Sequence, residues 1–167
     1  MFTRYLMIGA VLLLAACSTT KNDGAMDESA GQGLTAADMQ DGMGQGSAVP
    51  GSRDDFMINV GDVVLFGYDS YEISPEGRGI LDHQAAWLAQ YPAITVLVEG
   101  HADERGTREY NLALGERRAN AVKNYLVALG VDGSRVSTVS YGKERPAVMG
   151  SDESAWAQNR RTVTDIQ

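Results

Sequence analysis

The stretch EGHADERGT, Glu99 to Thr107, gathers two glutamates, an aspartate, a histidine and an arginine around Gly100 and Gly106. Four chemistries use such residues: metal ligation, acid–base catalysis, recognition of a charged ligand, and a solvated turn. A metal site needs several His, Cys or carboxylate ligands converging. The chain has two histidines, His83 and His101, and one cysteine. His83 falls on a helical stretch without clustered partners, and His101 is expected as a loop contact. A hydrolase needs carboxylates set across a scissile bond or a metal-activated water. Asp103 and Glu104 are sequence neighbours, which does not place them that way. A Gly-x-x-x-x-Gly-Lys-Ser/Thr phosphate loop is absent. No cofactor is called for. Asp103 is the residue suited to accept a cation, and Glu104 and Arg105 are expected to be solvated or loop-ordering charges.

A second chemistry-bearing group follows on a helical pattern. In TREYNLALGERRANAVKNYLVALG, Leu112, Ala119, Val122, Leu126 and Leu129 share one face at 100° per residue. Arg117 points away from that face and is expected in solvent. Arg118 is expected at the rim of the stripe, where the helix meets the sheet edge. Its planar fork there suits a nearby carboxylate or an anionic ligand. Thr107 caps this helix, whose first N–H groups and positive dipole end lie beside the charged loop. A carboxylate, a helix N-terminus and an arginine together suit a ligand bearing both ammonium and carboxylate.

The elements that must position these groups are legible. VVLF, Val63 to Phe66, reads as a strand. Ser74 caps a helix that starts at Pro75 and ends at Pro92, with Ile80, Leu81, Leu88 and Tyr91 as its apolar stripe. AITVLVE alternates and reads as a strand with Ile94, Val96 and Val98 on one face. Gly130 stops the second helix. RVSTVSYG reads as a third strand, SDESAWAQN as a short helix and RRTVTDI as a last strand, in which Asp165 must face solvent or mark a frayed end. The order is β-α-β-α-β-(α)-β. It predicts an α+β domain over 56–167: an open mixed β-sheet with helices packed on one side.

Ahead of the domain, Arg4 and the apolar run Leu6 to Ala16 describe a secretory signal peptide over 1–16; eleven apolar residues span only about half a bilayer core. LAAC resembles the bacterial lipobox, which implies lipidation of Cys17 as the first mature residue. Three acyl chains would make a lasting anchor. Ser18 rather than Asp after it implies the outer membrane. Residues 17–55 read as the lipidated cysteine and a flexible linker. From Ser18 to Asp55 there are seven acidic and two basic residues and no aromatic, too little apolar surface to offset ordering entropy. Its reach is about 30–35 Å as a coil and about 130 Å extended. The net charge of −8 gives no electrostatic case for nucleic acid.

VEGHADERGT…YNLALGERRANAVKNYL, then VSYGKERPAV and NRR, resembles the family of peptidoglycan-associated lipoproteins, within the outer-membrane-protein-A-like peptidoglycan-binding domains. The resemblance runs from Val63 to Arg161. The family pattern Asn-x-x-Leu-x-x-x-Arg-Ala-x-x-Val is met by Asn111, Leu114, Arg118, Ala119 and Val122. It implies a non-catalytic domain that binds the diaminopimelate side chain of the peptidoglycan stem peptide and tethers the outer membrane to the wall. Asp103 would take the ammonium and Arg118 a carboxylate. Tyr68 and Asp69 would contact the ligand, Thr107 and Leu114 would line the site, and Asn159 and Arg160 would support it, with Arg161 beside them. The family also implies membership of the Tol–Pal system, which serves envelope integrity and cell division, with the Tol B periplasmic propeller protein as partner. Two features depart from the pattern: Gly115 stands where the wider family usually has Ser, although the peptidoglycan-associated lipoproteins commonly have Gly, and TVTDIQ is a more polar terminus. The rival reading is a peptidoglycan-cleaving periplasmic enzyme.

Overall fold

A computed structural model describes residues 48–167. The expected signal peptide, Cys17 and most of the expected linker lie outside the described residues. No helix among the described residues is long and apolar enough to cross a membrane.

Order begins before the expected boundary at residue 56. Ser52 caps α1 (Arg53–Asp55), which runs on into a π-helical turn, Phe56–Val60. Asp55 holds this segment down. Its carboxylate accepts from Trp87 Nε1 at 2.9 Å, Asn59 Nδ2 at 2.7 Å and Gly51 N at 2.9 Å. Phe56 meets Trp87 edge-on with ring centroids 4.9 Å apart. The acidic composition hid this turn, because its apolar anchors, Phe56 and Val60, lie just past the linker.

The remaining elements follow the expected order. They are β1 (Val63–Leu65), α2 (Pro75–Gln90), β2 (Val96–His101), α3 (Arg108–Ala128), a 3-10 turn (Gly133–Arg135), β3 (Val136–Gly142), α4 (Glu153–Asn159) and β4 (Arg161–Ile166). The four strands form one mixed sheet in the order β1-β4-β2-β3. β2 and β3 are parallel, joined through α3, and β4 runs antiparallel to both of its neighbours, β1 and β2.

One face of the sheet takes the helices. Val64, Val96, Val98 and Val136 point into a core with Leu81, Leu88, Val122 and Leu126, each at most 1% exposed. Each such side chain contributes about 1.5–3 kcal/mol by leaving water. Two buried polar groups are paired within this layer. Thr164 Oγ1 donates to Gln84 Oε1 at 3.0 Å, and Gln84 Nε2 donates to the Gly61 carbonyl at 2.7 Å, which avoids the cost of a buried unpaired amide.

The expected stripe of α3 is corrected at its end. Leu129 is 46% exposed, because the helix has run past the sheet; Val131 returns the chain to the core with its N–H bonded to Leu126 O. Asp165 sits within β4, paired in register with Leu97, and forms an ion pair with Arg53. The last strand is therefore not frayed there.

α3 lies against β2 at one point of backbone contact. A Cβ on Gly100 would fall 1.9 Å from the Gly115 carbonyl oxygen, and one on Gly115 would fall 2.3 Å from Ser140 Oγ. Gly115, where the wider family usually has serine, is the residue that lets the helix seat. This contact brings the N-terminal half of α3 down onto the end of β2, where the charged loop begins.

Candidate ligand-binding site

The loop after β2 is fixed by its neighbours before its side chains do anything. Asn111, 2% exposed, donates from Nδ2 to the Arg105 carbonyl at 2.8 Å. Lys143 Nζ donates to the carbonyls of Glu104 at 3.0 Å and Gly106 at 2.7 Å. Thr107 Oγ1 accepts from Tyr110 N and caps α3 as expected. A cavity of about 420 Å3 opens between this loop, the start of α3 and the β1–α2 connection. Of the expected site residues, Tyr68, Asp69, Asp103, Thr107, Leu114 and Arg118 line it.

Asp103 is its negative group, 5% exposed. Its carboxylate accepts a fork from Arg105, Nε at 3.1 Å and Nη2 at 2.6 Å, with Arg105 N at 3.1 Å. Arg160 Nη1 stands 3.5 Å away. Burial pushes the Asp103 carboxyl up, but the hydrogen bonds and charges of Arg105, with the charge of Arg160, outweigh it and leave the group below the usual aspartate value.

Arg118 is not at the rim. It is 0% exposed, and it reaches the cavity from inside the fold. Nε donates to Ser70 O at 2.8 Å, Nη1 to His101 O at 2.7 Å and Nη2 to Gly67 O at 3.1 Å. The helical wheel placed its direction well but missed the β1–α2 connection, which folds over it. Burial draws its guanidinium down to about 10, with Asp103 and Asp69 opposing that shift and Arg160 adding to it. Three of its five N–H donors are used on carbonyls, which leaves two for other acceptors. Arg117 is exposed, as expected.

Asp69 adopts a left-handed backbone, φ 49°, and accepts a hydrogen bond from the Tyr110 hydroxyl. Tyr110, Leu114 and Arg118 thus form a stripe down one side of α3, at the four-residue spacing that puts side chains in line. Tyr110 was not singled out from the sequence, although that spacing contained it. Asn159 and Arg160 do not line the cavity. Asn159 instead ties down the 147–148 segment: Oδ1 accepts from Ala147 N and Val148 N, and Nδ2 donates to Val148 O. Arg160 donates from Nε to Phe66 O and from Nη2 to Glu153, and so supports Asp103 from behind. Arg161 lies on β4, with Nη2 3.3 Å from Arg145 O.

Two side chains exceed their expected roles. Arg105 was expected as a solvated or loop-ordering charge. Its guanidinium carbon instead lies 4.2 Å over the Tyr68 ring and 4.1 Å over the Trp156 ring, and Trp156 donates from Nε1 to Glu104. Residues 105 and 156 are far apart in sequence, so no local pattern could reveal the stack. His101 is no loop contact: it ends β2, 1% exposed, beside Tyr141. Burial, reinforced by Arg161 and Arg145, pushes its imidazole down to about 4. Among the described residues no three His, Cys, Asp or Glu side chains converge as metal ligands.

This fold recurs in known proteins. The OmpA family model matches residues 65–160. The peptidoglycan-associated lipoprotein of Rhizobium meliloti is 52% identical over 153 residues, 92% of this chain and 81% of that protein. Its counterpart in Haemophilus influenzae is 47% identical over 160 residues, 95% and 93% of the two chains. The crystal structure of the peptidoglycan-associated lipoprotein from Burkholderia pseudomallei matches with a TM-score of 0.62 at 44% identity, covering 64% of this chain and 90% of that one. The C-terminal domain of Helicobacter pylori MotB shares the fold at 21% identity and a TM-score of 0.58. The chain belongs to the OmpA family, among the relatives of the peptidoglycan-associated lipoproteins.

Proposed function

We propose that this domain binds peptidoglycan non-covalently, through the diaminopimelate side chain of the stem peptide, and tethers the outer membrane to the wall. The observation that carries the reading is one cavity holding the buried Asp103 carboxylate and the buried Arg118 guanidinium together. Diaminopimelate carries an ammonium and a carboxylate on one carbon, so each charge has a partner of opposite sign. Buried, preorganised charges recognise such a ligand strongly, because an analogue lacking one group leaves its partner unpaired. Tyr68, Asp69, Thr107 and Leu114 line the site around the ligand, and Arg160 and Asn159 hold its surroundings. The names of the relatives, peptidoglycan-associated lipoproteins, support peptidoglycan as the polymer bound.

The role is recognition rather than cleavage. Asp69, the second carboxylate lining the cavity, is bonded to the Tyr110 hydroxyl. Glu104 is exposed and bonded to Trp156, and Asp103 is held as an anion among arginines, the wrong state for a general acid. Cys17 in its lipobox-like setting supplies the anchor at the outer membrane, with the domain in the periplasm and the Tol B propeller as its protein partner in the Tol–Pal system. Incubating the full chain with purified sacculi tests the reading. Cosedimentation without release of soluble fragments, lost in Asp103→Ala, is expected; fragment release establishes the enzyme instead. The mass of the mature protein tests the anchor, and an unacylated Cys17 overturns it.

A further inference from the structure

The carboxylate offered to the ligand's ammonium is already occupied. Arg105 presents a two-pronged fork to Asp103 from only two residues away, so closing the pair costs little chain entropy. Its flat guanidinium also lies over both Tyr68 and Trp156, each about 4 Å from its carbon, a stack that desolvation strengthens. Tyr68 and Arg105 both line the cavity. A forked guanidinium is a stronger partner for a carboxylate than a single ammonium. A second acceptor is close by: the exposed Glu153, whose Oε1 accepts from Arg160 Nη2, has its Oε2 3.8 Å from Arg105 Nη1.

Building on the peptidoglycan reading, we propose that Arg105 is an intramolecular competitor for the ligand's cation and thereby a specificity-determining residue of this site. In the free protein Arg105 fills the cation position on Asp103. The ligand's ammonium takes that position by moving Arg105 off the fork towards Glu153. A ligand with an ammonium alone must outcompete the fork unaided. A ligand that also brings a carboxylate gains Arg118 in the same event, and this second contact is what lets it succeed. Affinity is reduced by the fraction of time the fork is closed, so a fork open one tenth of the time weakens binding about tenfold.

The experiment is calorimetric titration of the full chain in detergent with two stem peptides that differ in one residue, diaminopimelate or lysine, comparing wild type, Arg105→Ala and Arg105→Lys. Arg105→Ala is expected to bind the diaminopimelate peptide at least fivefold tighter than wild type and to gain measurable affinity for the lysine peptide. Arg105→Lys, which keeps the charge but loses the fork, is expected to fall between. Arg105→Ala leaves Asp103 less compensated, so its free form should melt lower while its ligand-induced rise in Tm exceeds that of wild type. Equal or weaker binding by a folded Arg105→Ala, with wild type binding normally, overturns the competitor role and leaves the wall-binding reading intact. No binding by any of the three proteins overturns both.

Discussion

Arg118 Nη1 and the His101 carbonyl meet at 2.7 Å inside the protein, while Arg117, one residue away, lies in solvent. The pair joins the middle of α3 to the end of β2, and Arg118 lines the cavity. Arg118 also closes the β1–α2 connection through Gly67 O and Ser70 O. One side chain therefore holds three walls of the site together and presents its charge to it.

Arg118→Ala should abolish sacculus binding and destabilise the fold, because three carbonyls lose their donors. At about 1 kcal/mol for each unpaired group the loss is on the order of 3 kcal/mol. Arg117→Ala should change neither by more than about 0.5 kcal/mol. Urea unfolding read beside sacculus cosedimentation checks both, and equal behaviour of the two variants contradicts the assignment.

His101 makes stability depend on acid. Its folded-state value of about 4 lies below the ordinary 6.5. The unfolded chain therefore takes up the proton first, and stability present above about 6.5 is lost as pH falls towards 4. Glu99, 3.6 Å from Nε2, favours the cation but is outweighed by burial and by Arg161 and Arg145. The contribution is roughly 3 kcal/mol. Melting curves from pH 7 to 4 should fall less steeply in His101→Gln than in wild type, after allowing for any uniform loss.

Two glycines should respond oppositely to alanine. Gly100→Ala puts a methyl into the Gly115 carbonyl, forcing α3 off β2 at a cost of more than about 3 kcal/mol. Gly79→Ala in α2 meets no atom within 4 Å and should stabilise by about 0.5–1 kcal/mol through helix propensity. Thermal melts of both variants give the answer, and a tolerated Gly100→Ala would show that the close contact is dispensable.

The elements were readable because each carries local signals: the Ser74 and Thr107 caps, Pro75, the alternation of Ile94, Val96 and Val98. Their packing on one face of an open sheet followed from those stripes. What local signals do not carry is closure by distant chain. Arg118 read as a rim residue because the segment over it, Gly67 to Ser70, lies about 50 residues earlier. Arg105 read as a solvated or loop-ordering charge; its bonds to Asp103 do order the loop, but its stack was hidden because Tyr68 and Trp156 come from other elements. Asn159 and Arg160 were both named as supports of the site on the NRR motif, yet the two adjacent side chains face different ways, Asn159 onto the 147–148 segment and Arg160 towards Phe66, Glu153 and Asp103.

Residue-by-residue NMR titration of the full chain with a diaminopimelate-containing stem peptide tests the central claim most directly. The account predicts saturable shifts centred on Tyr68, Asp69, Asp103, Thr107, Leu114 and Arg118, and none of them in Asp103→Ala. Saturable shifts centred elsewhere on the domain, or unchanged shifts in Asp103→Ala, would contradict it.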